Sequence, residues 1–182
     1  MFSGITLKQI STKSGYSIST VSKALNDQYE IKDSTKRKIR RIAEKNNYVP
    51  NSAARALRNK RTNIIAVVVP QITTPYFNNF IGEVQMKASK VGYRIMISQS
   101  FNELQKEKEN INQLNDGTVD GVLILSNNQF SHSDFKRNAL ENVLVVPFQA
   151  HEGFNKETLR NYALNSFDNI LSLIRINNLK TN

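Results

Sequence analysis

The 182 residues contain no cysteine. Disulfides and cysteine-based metal sites are therefore excluded, and a reducing compartment is compatible with the chain. The opening "MFSGITLKQI" has no apolar stretch long enough for a secretory signal. The longest apolar run, Ile64 to Pro70, falls far short of the roughly 20 residues that span a bilayer. The expectation is a chain with no membrane segment, located in the cytoplasm. Two further absences bear on chemistry. No G-x-G-x-x-G or G-x-x-x-x-G-K occurs, so no nucleotide site is indicated. His132 and His151 lie in polar stretches without a neighbouring ligand pattern, and Asp120 opens a strand in a "DG" step. None makes a nucleophile–base or metal spacing. The chain is expected to be no enzyme and to need no cofactor or metal.

Acidic residues are scarce in one part of the chain. Met1 to Arg61 holds 14 lysines and arginines against four acids, a net +10. Thr62 to Asn182 holds 11 of each and is neutral. All the excess charge sits in the first third. A basic module joined to a neutral one points to a polyanion partner for the first and another task for the second. A membrane surface would also attract the charge, but it needs bulky apolar groups opposite the cations on a helix. The short, mixed helices read here do not supply them.

"TLKQISTKSG" reads as a short helix capped by Thr6, with Leu7 and Ile10 on one face and Gly15 just past its end. "YSISTVSKALN" follows, capped by Ser17, with Val21, Ala24 and Leu25 as its inward stripe. In "DSTKRKIRRIAEKNN", Asp33 or Ser34 is the expected cap. Ile39, Ile42 and Ala43 face inward, and Lys36, Arg37, Lys38, Arg40, Arg41 and Lys45 occupy the other faces. Three short helices, the first two joined by a tight glycine-containing turn, match a helix-turn-helix unit. Such a unit lays its second helix in the DNA major groove. "AARALRNK" beyond Pro50 is a further short helix, marginal alone in water.

At Thr62 the pattern changes. "NIIAVVVP" reads as a strand buried on both faces. "YFNNFIGEVQMKASKVGY" reads as a helix with Phe77, Phe80, Ile81 and Val84 inward. "RIMISQS", "DGVLILS" and "NVLVVPF" are the next strands, and "NELQKEKENINQLNDGTV" is a polar helix with Ile111 and Leu114 inward. Alternating strands and helices imply a parallel sheet. After Ala150 the rhythm fails. That stretch has no valine, and seven of its 33 residues are asparagine. Its apolar pieces "TLRNYAL" and "NILSLIRI" read as two candidate helices.

Taken in order, "ITLKQI", "SGYSISTVSKALN", "YVPNSAARALRNKRTN", "IAVVVPQITTPYFNNF" and "VDGVLIL" strongly resemble the lactose-repressor/galactose-repressor (LacI/GalR) family of bacterial transcription regulators, over roughly Ile5 to Phe148. The resemblance implies a helix-turn-helix domain over 4–50 and a hinge helix with linker over 51–61. A partial α/β parallel-sheet lobe of the periplasmic-binding-protein kind follows over 62–149, then a divergent tail over 150–182. It implies a regulator, of the repressor kind, bound as a homodimer to a near-palindromic operator in double-stranded DNA. By resemblance Ile18, Ser19 and Lys23 read bases, and periodicity alone would also allow Ile18 in the core. Thr6, Ser17, Thr20, Ser22, Asn26, Thr35, Tyr48 and Asn51 match phosphate-facing or positioning residues, with capping or core roles open for Thr35 and Tyr48. Leu57 matches a minor-groove wedge, with packing in the linker as the other reading, and Ala54 and Arg58 match its hinge neighbours. Tyr76 or Phe77 matches the first effector-pocket loop.

The sequence also departs from the family. Ser11 and Ser14 stand where alanine is usual, and Tyr16 where valine is usual. The chain following the hinge is shorter than the family core, and the tail does not resemble the family's crossover. The expectation is therefore weakened dimerisation and little effector response, with a truncated or frameshifted fragment as the alternative reading.

Overall fold

The computed structural model describes residues 5–50, 54, 56, 60–128, 142–148 and 155–180, with backbone alone at 178 and 180. The chain divides into two compact units, residues 1–52 and 53–182.

The first unit packs α1 (Leu7–Ser14), α2 (Ile18–Leu25) and α3 (Asp33–Lys45) around one small core. Ile10, Val21, Ala24 and Ile39 are fully buried, with Ala43 beside them and Leu7, Leu25, Ile42 and Tyr48 at the margin. Helices this short depend on their ends. The Gln9 amide donates to the Thr6 hydroxyl at 3.3 Å, and the Thr6 amide donates to the Gln9 side-chain oxygen at 2.8 Å, a reciprocal capping box. Gly15 closes α1 at φ 77, a left-handed conformation that costs glycine nothing. Ser11 and Ser14 hold the turn that follows. Ser11 Oγ donates to the Tyr16 carbonyl at 2.6 Å, and buried Ser14 donates to the Ser11 carbonyl at 3.2 Å. The Ser17 hydroxyl accepts the Thr20 amide at 3.1 Å and so caps α2. At the far end the Asp27 and Gln28 amides donate to the Ala24 and Lys23 carbonyls at 3.2 and 3.0 Å. Asp27 itself is left-handed at φ 59, which makes a Schellman close without glycine.

Two expectations for α3 need correction. Neither Asp33 nor Ser34 caps it: Lys32 holds the cap position with no side-chain bond, and Asp33 is already helical. There its negative charge still suits the positive end of the helix dipole. Lys36 does not lie on an outer face but is buried, its ammonium 3.1 Å from the Asp27 carboxylate. It lies three residues before Ile39, which places it on the inward stripe.

The second unit is a four-stranded, all-parallel sheet in the order β2-β1-β3-β4, formed by β1 (Ile64–Val69), β2 (Arg94–Gln99), β3 (Gly121–Leu125) and β4 (Val143–Val146). α4 (Pro75–Lys90) and α6 (Lys156–Lys180) cover one face, where Ile65, Val67, Val69, Leu123 and Leu125 point. On the other face Ala66, Val68, Val122 and Ile124 pack with Ile111 of α5 (Leu104–Gln113) and with Leu114 and Val119. The two central strands are therefore buried on both sides, which explains their unbroken β-branched runs.

The tail departs from the expected pair of helices. Its described residues form one 25-residue helix, α6. Leu159, Ala163, Phe167, Ile170 and Ile174 form its buried stripe, spaced at three and four residues as one helix face requires. Lys87 pairs with Asp168, and Arg160 lies 3.4 Å from Glu83, which ties α6 to α4. The "DG" step serves this arrangement. Asp120 accepts from the Thr62 hydroxyl and the Asn63 amide at 2.8 and 3.0 Å, fixing the entry to β1. A Cβ at Gly121 would stand 3.0 Å from the Ile174 side chain, so glycine lets α6 approach β3 closely.

Removing a fully buried aromatic from a packed core costs about 3–5 kcal/mol. Phe167→Ala is expected to speed amide exchange across β1, β3 and α4 and leave α1–α3 unchanged. Hydrogen exchange read residue by residue checks both halves of that expectation.

Candidate nucleic-acid interface

Proposed base-reading residues lie together on the first turns of α2. Ile18 is 48% exposed and stands outside the core that periodicity alone would have allowed it. Ser19 and Lys23 are exposed, and Thr20 and Ser22 are partly so. Thr6 and Ser17, both exposed, are the caps of α1 and α2, so their hydroxyls lie beside free backbone amides at two helix N-termini. Such ends attract phosphate oxygens. Ser17 and Thr20 hydroxyls are 2.8 Å apart. Asn26 closes α2, its side-chain amide donating to the Ser22 carbonyl at 2.6 Å. Thr35 is half-buried in the first turn of α3, and Tyr48 packs at the core margin with its amide on the Ala43 carbonyl at 2.9 Å.

The expected hinge over 51–61 falls largely outside the described residues, including Asn51, Leu57 and Arg58. Ala54 is exposed and helical. The Arg61 amide donates to the Ala56 carbonyl at 3.2 Å beyond left-handed Lys60.

Electrostatics favour a polyanion. Lys32, Arg37, Lys38, Arg40, Arg41 and Lys45 are exposed on α3 or at its start. Lys38 sits 5.2 Å over the Tyr16 ring, within cation–π range. Two acidic residues, Asp27 and Glu30, escaped the sequence reading. Asp27 takes Arg40 at 2.8 Å as well as Lys36. The hydrogen bond and positive charge of Lys36, then Arg40, hold the Asp27 carboxyl below its ordinary value. Glu30 lies 2.9 Å from Lys23. These pairings cross a loop, and no periodic rule predicts them.

At the carboxyl edge of the sheet, Tyr76 and Phe77 are 8% and 4% exposed. Phe148 packs against both, its ring centroid 4.8 Å from that of Phe77. This is core packing. Fully buried Glu107 of α5 accepts from Ser126 at 2.8 Å, Asn128 at 3.1 Å and Ser100 at 3.4 Å. Its position four residues before Ile111 was the signal for it. No cluster of three metal-binding side chains occurs among the described residues. None of their helices is long and apolar enough to cross a membrane.

Comparison with known proteins bears on this surface. Residues 6–51 match the family described as bacterial regulatory proteins, lacI family. Catabolite control protein A of Staphylococcus epidermidis is 32% identical over 121 residues, 66% of this chain and 37% of that protein. The Staphylococcus xylosus protein of the same name is 33% identical over the same extent. The chain thus spans little more than a third of the curated relatives it matches. The lac repressor dimer bound to operator and the anti-inducer ONPF superposes with a TM-score of 0.68 at 18% identity, covering 80% of this chain and 48% of that one. A LacI-family regulator from Silicibacter pomeroyi gives 0.64 at 23%, covering 83% and 45%. These superpositions establish a shared fold.

The Asp27 pairing carries a pH signature. A depressed carboxyl stabilises the fold above its ordinary pKa of 3.8, and that contribution is lost as pH falls through the depressed value. Asp27→Asn is expected to lower the melting temperature near neutral pH. The gap from the parent should close as pH drops below about 3.8. Thermal melts of both proteins across acid pH check it.

Proposed function

We propose that this chain, whose residues 6–51 match the lacI family of bacterial regulatory proteins, is a sequence-specific DNA-binding regulator of transcription, acting as a repressor. The observation that carries this reading is α2. It is capped at Ser17, backed by a closed core, and presents Ile18, Ser19 and Lys23 outward. The net charge of +10 is confined to Met1–Arg61. In the proposed complex α2 enters the major groove. Lys23 donates to guanine O6 or N7 as a point donor, and Ile18 makes apolar contact with a thymine methyl. Thr6, Ser17, Thr20, Ser22, Asn26, Thr35, Tyr48 and Asn51 take phosphate or positioning roles.

Two copies on a near-palindromic operator would bring two hinges together, with Ala54 and Arg58 beside Leu57. Leu57 inserted as a wedge would unstack a base step at a cost of roughly a few kcal/mol, offset by contacts to the bent duplex. The second unit contributes no effector response in this reading, because Tyr76 and Phe77 are committed to packing with Phe148. The chain works without enzymatic activity.

Phosphate neutralisation releases counterions, so affinity for duplex DNA is expected to fall steeply between about 50 and 200 mM salt. A flat response in a fluorescence titration sinks the nucleic-acid reading. Lys23→Ala should relax preference at one operator position, by roughly 1–3 kcal/mol. Selection from a randomised duplex pool that returned the parent's motif for this variant would make Lys23 a phosphate contact instead.

A further inference from the structure

Lys23, the basic side chain on the exposed face of α2, is not free. Its ammonium is 2.9 Å from a Glu30 carboxylate oxygen, and the two side chains are 47% and 44% exposed. The geometry is built by the loop. The Gln28 amide donates to the carbonyl of Lys23 itself at 3.0 Å, which turns the chain back along α2. The Ile31 amide then donates to the Gln28 carbonyl at 3.2 Å, and the Ile31 side chain packs on the core. Asp27, held by Lys36 and Arg40, anchors the loop's start. Glu30 is thus carried to Lys23 by a fixed backbone.

An acid beside the groove-facing lysine works against simple phosphate attraction, so stability gives no reason for it: an exposed ion pair contributes little. Recognition gives one. In the major groove a G·C pair shows acceptors on guanine and an amino donor on cytosine. An ammonium and a carboxylate side by side are the complement of that edge. The ammonium has three N–H donors. One bound to Glu30 leaves two for guanine, and the carboxylate retains acceptor capacity for the cytosine amine.

We propose that Glu30 is a specificity-determining residue, which with Lys23 reads a single G·C pair, Lys23 on the guanine and Glu30 on the cytosine. The inference rests on the reading that α2 enters DNA. Glu30 also orients the lysine, whose flexible stem would otherwise reach any nearby acceptor. Its charge opposes non-specific phosphate binding.

The test uses the full chain and its Glu30→Gln and Lys23→Gln variants, each selecting from a randomised duplex pool. Circular dichroism confirms that all three fold, as exposed positions should allow. The parent is expected to select G·C at one position in each half-site, and both variants should lose that preference at the same position, by about tenfold. Glu30→Gln should also bind a mixed-sequence duplex more tightly, with a salt dependence steeper by about one phosphate contact. If Glu30→Gln keeps the parent's preference at the position Lys23→Gln relaxes, the inference is overturned, whatever its salt response. If the parent selects no motif at all, the DNA reading beneath it fails, and the inference with it.

Discussion

An eight-residue helix does not hold together in water on its own, because nucleation costs more than so few hydrogen bonds return. The first unit is organised around that constraint. α2, with eight residues, has its N-terminus capped by Ser17 and its C-terminus closed through Asp27 and Gln28. Its inner face is covered by α1 and α3 through Val21 and Ala24. Only the face bearing Ile18, Ser19 and Lys23 is left to solvent. A rigid short helix presented on one side is what groove recognition requires. The stabilising contacts and the exposed face are therefore two consequences of one arrangement.

Position 27 shows how closely those contacts are shared. A left-handed aspartate is strained relative to glycine by roughly 1–2 kcal/mol. Glycine would end α2 as well, but it could not offer a carboxylate to Lys36 and Arg40. That carboxylate satisfies a buried ammonium, which would otherwise be costly. It also fixes the loop that carries Glu30 to Lys23. One unusual backbone conformation thereby links helix termination, core electrostatics and the exposed face of α2.

The second unit answers a different demand. Parallel strands need cover on both faces. α5 supplies one side, and α4 with α6 the other. The asparagine-rich tail looked like the end of the αβ pattern, yet its apolar residues close the sheet as one helix. Polar residues occupy the outward positions, so composition hid the buried stripe while spacing preserved it.

Sequence by itself determined what local rules govern. Caps at Thr6 and Ser17, the inward stripes of α1, α2 and α4, the buried strands and the confinement of charge to the first third were all legible. Each depends on neighbours within about one turn of helix or on strand alternation. Glu107 and Lys36 were legible in principle, since both lie on inward stripes, but their charge argued against burial until partners were visible. The Lys23–Glu30 pair, the Asp27 clamp on α3 and the approach of α6 to Gly121 were decided by tertiary structure alone. Their partners are separated by loops or by tens of residues. Whether two such side chains meet depends on where the whole backbone turns, which no periodicity in the sequence encodes.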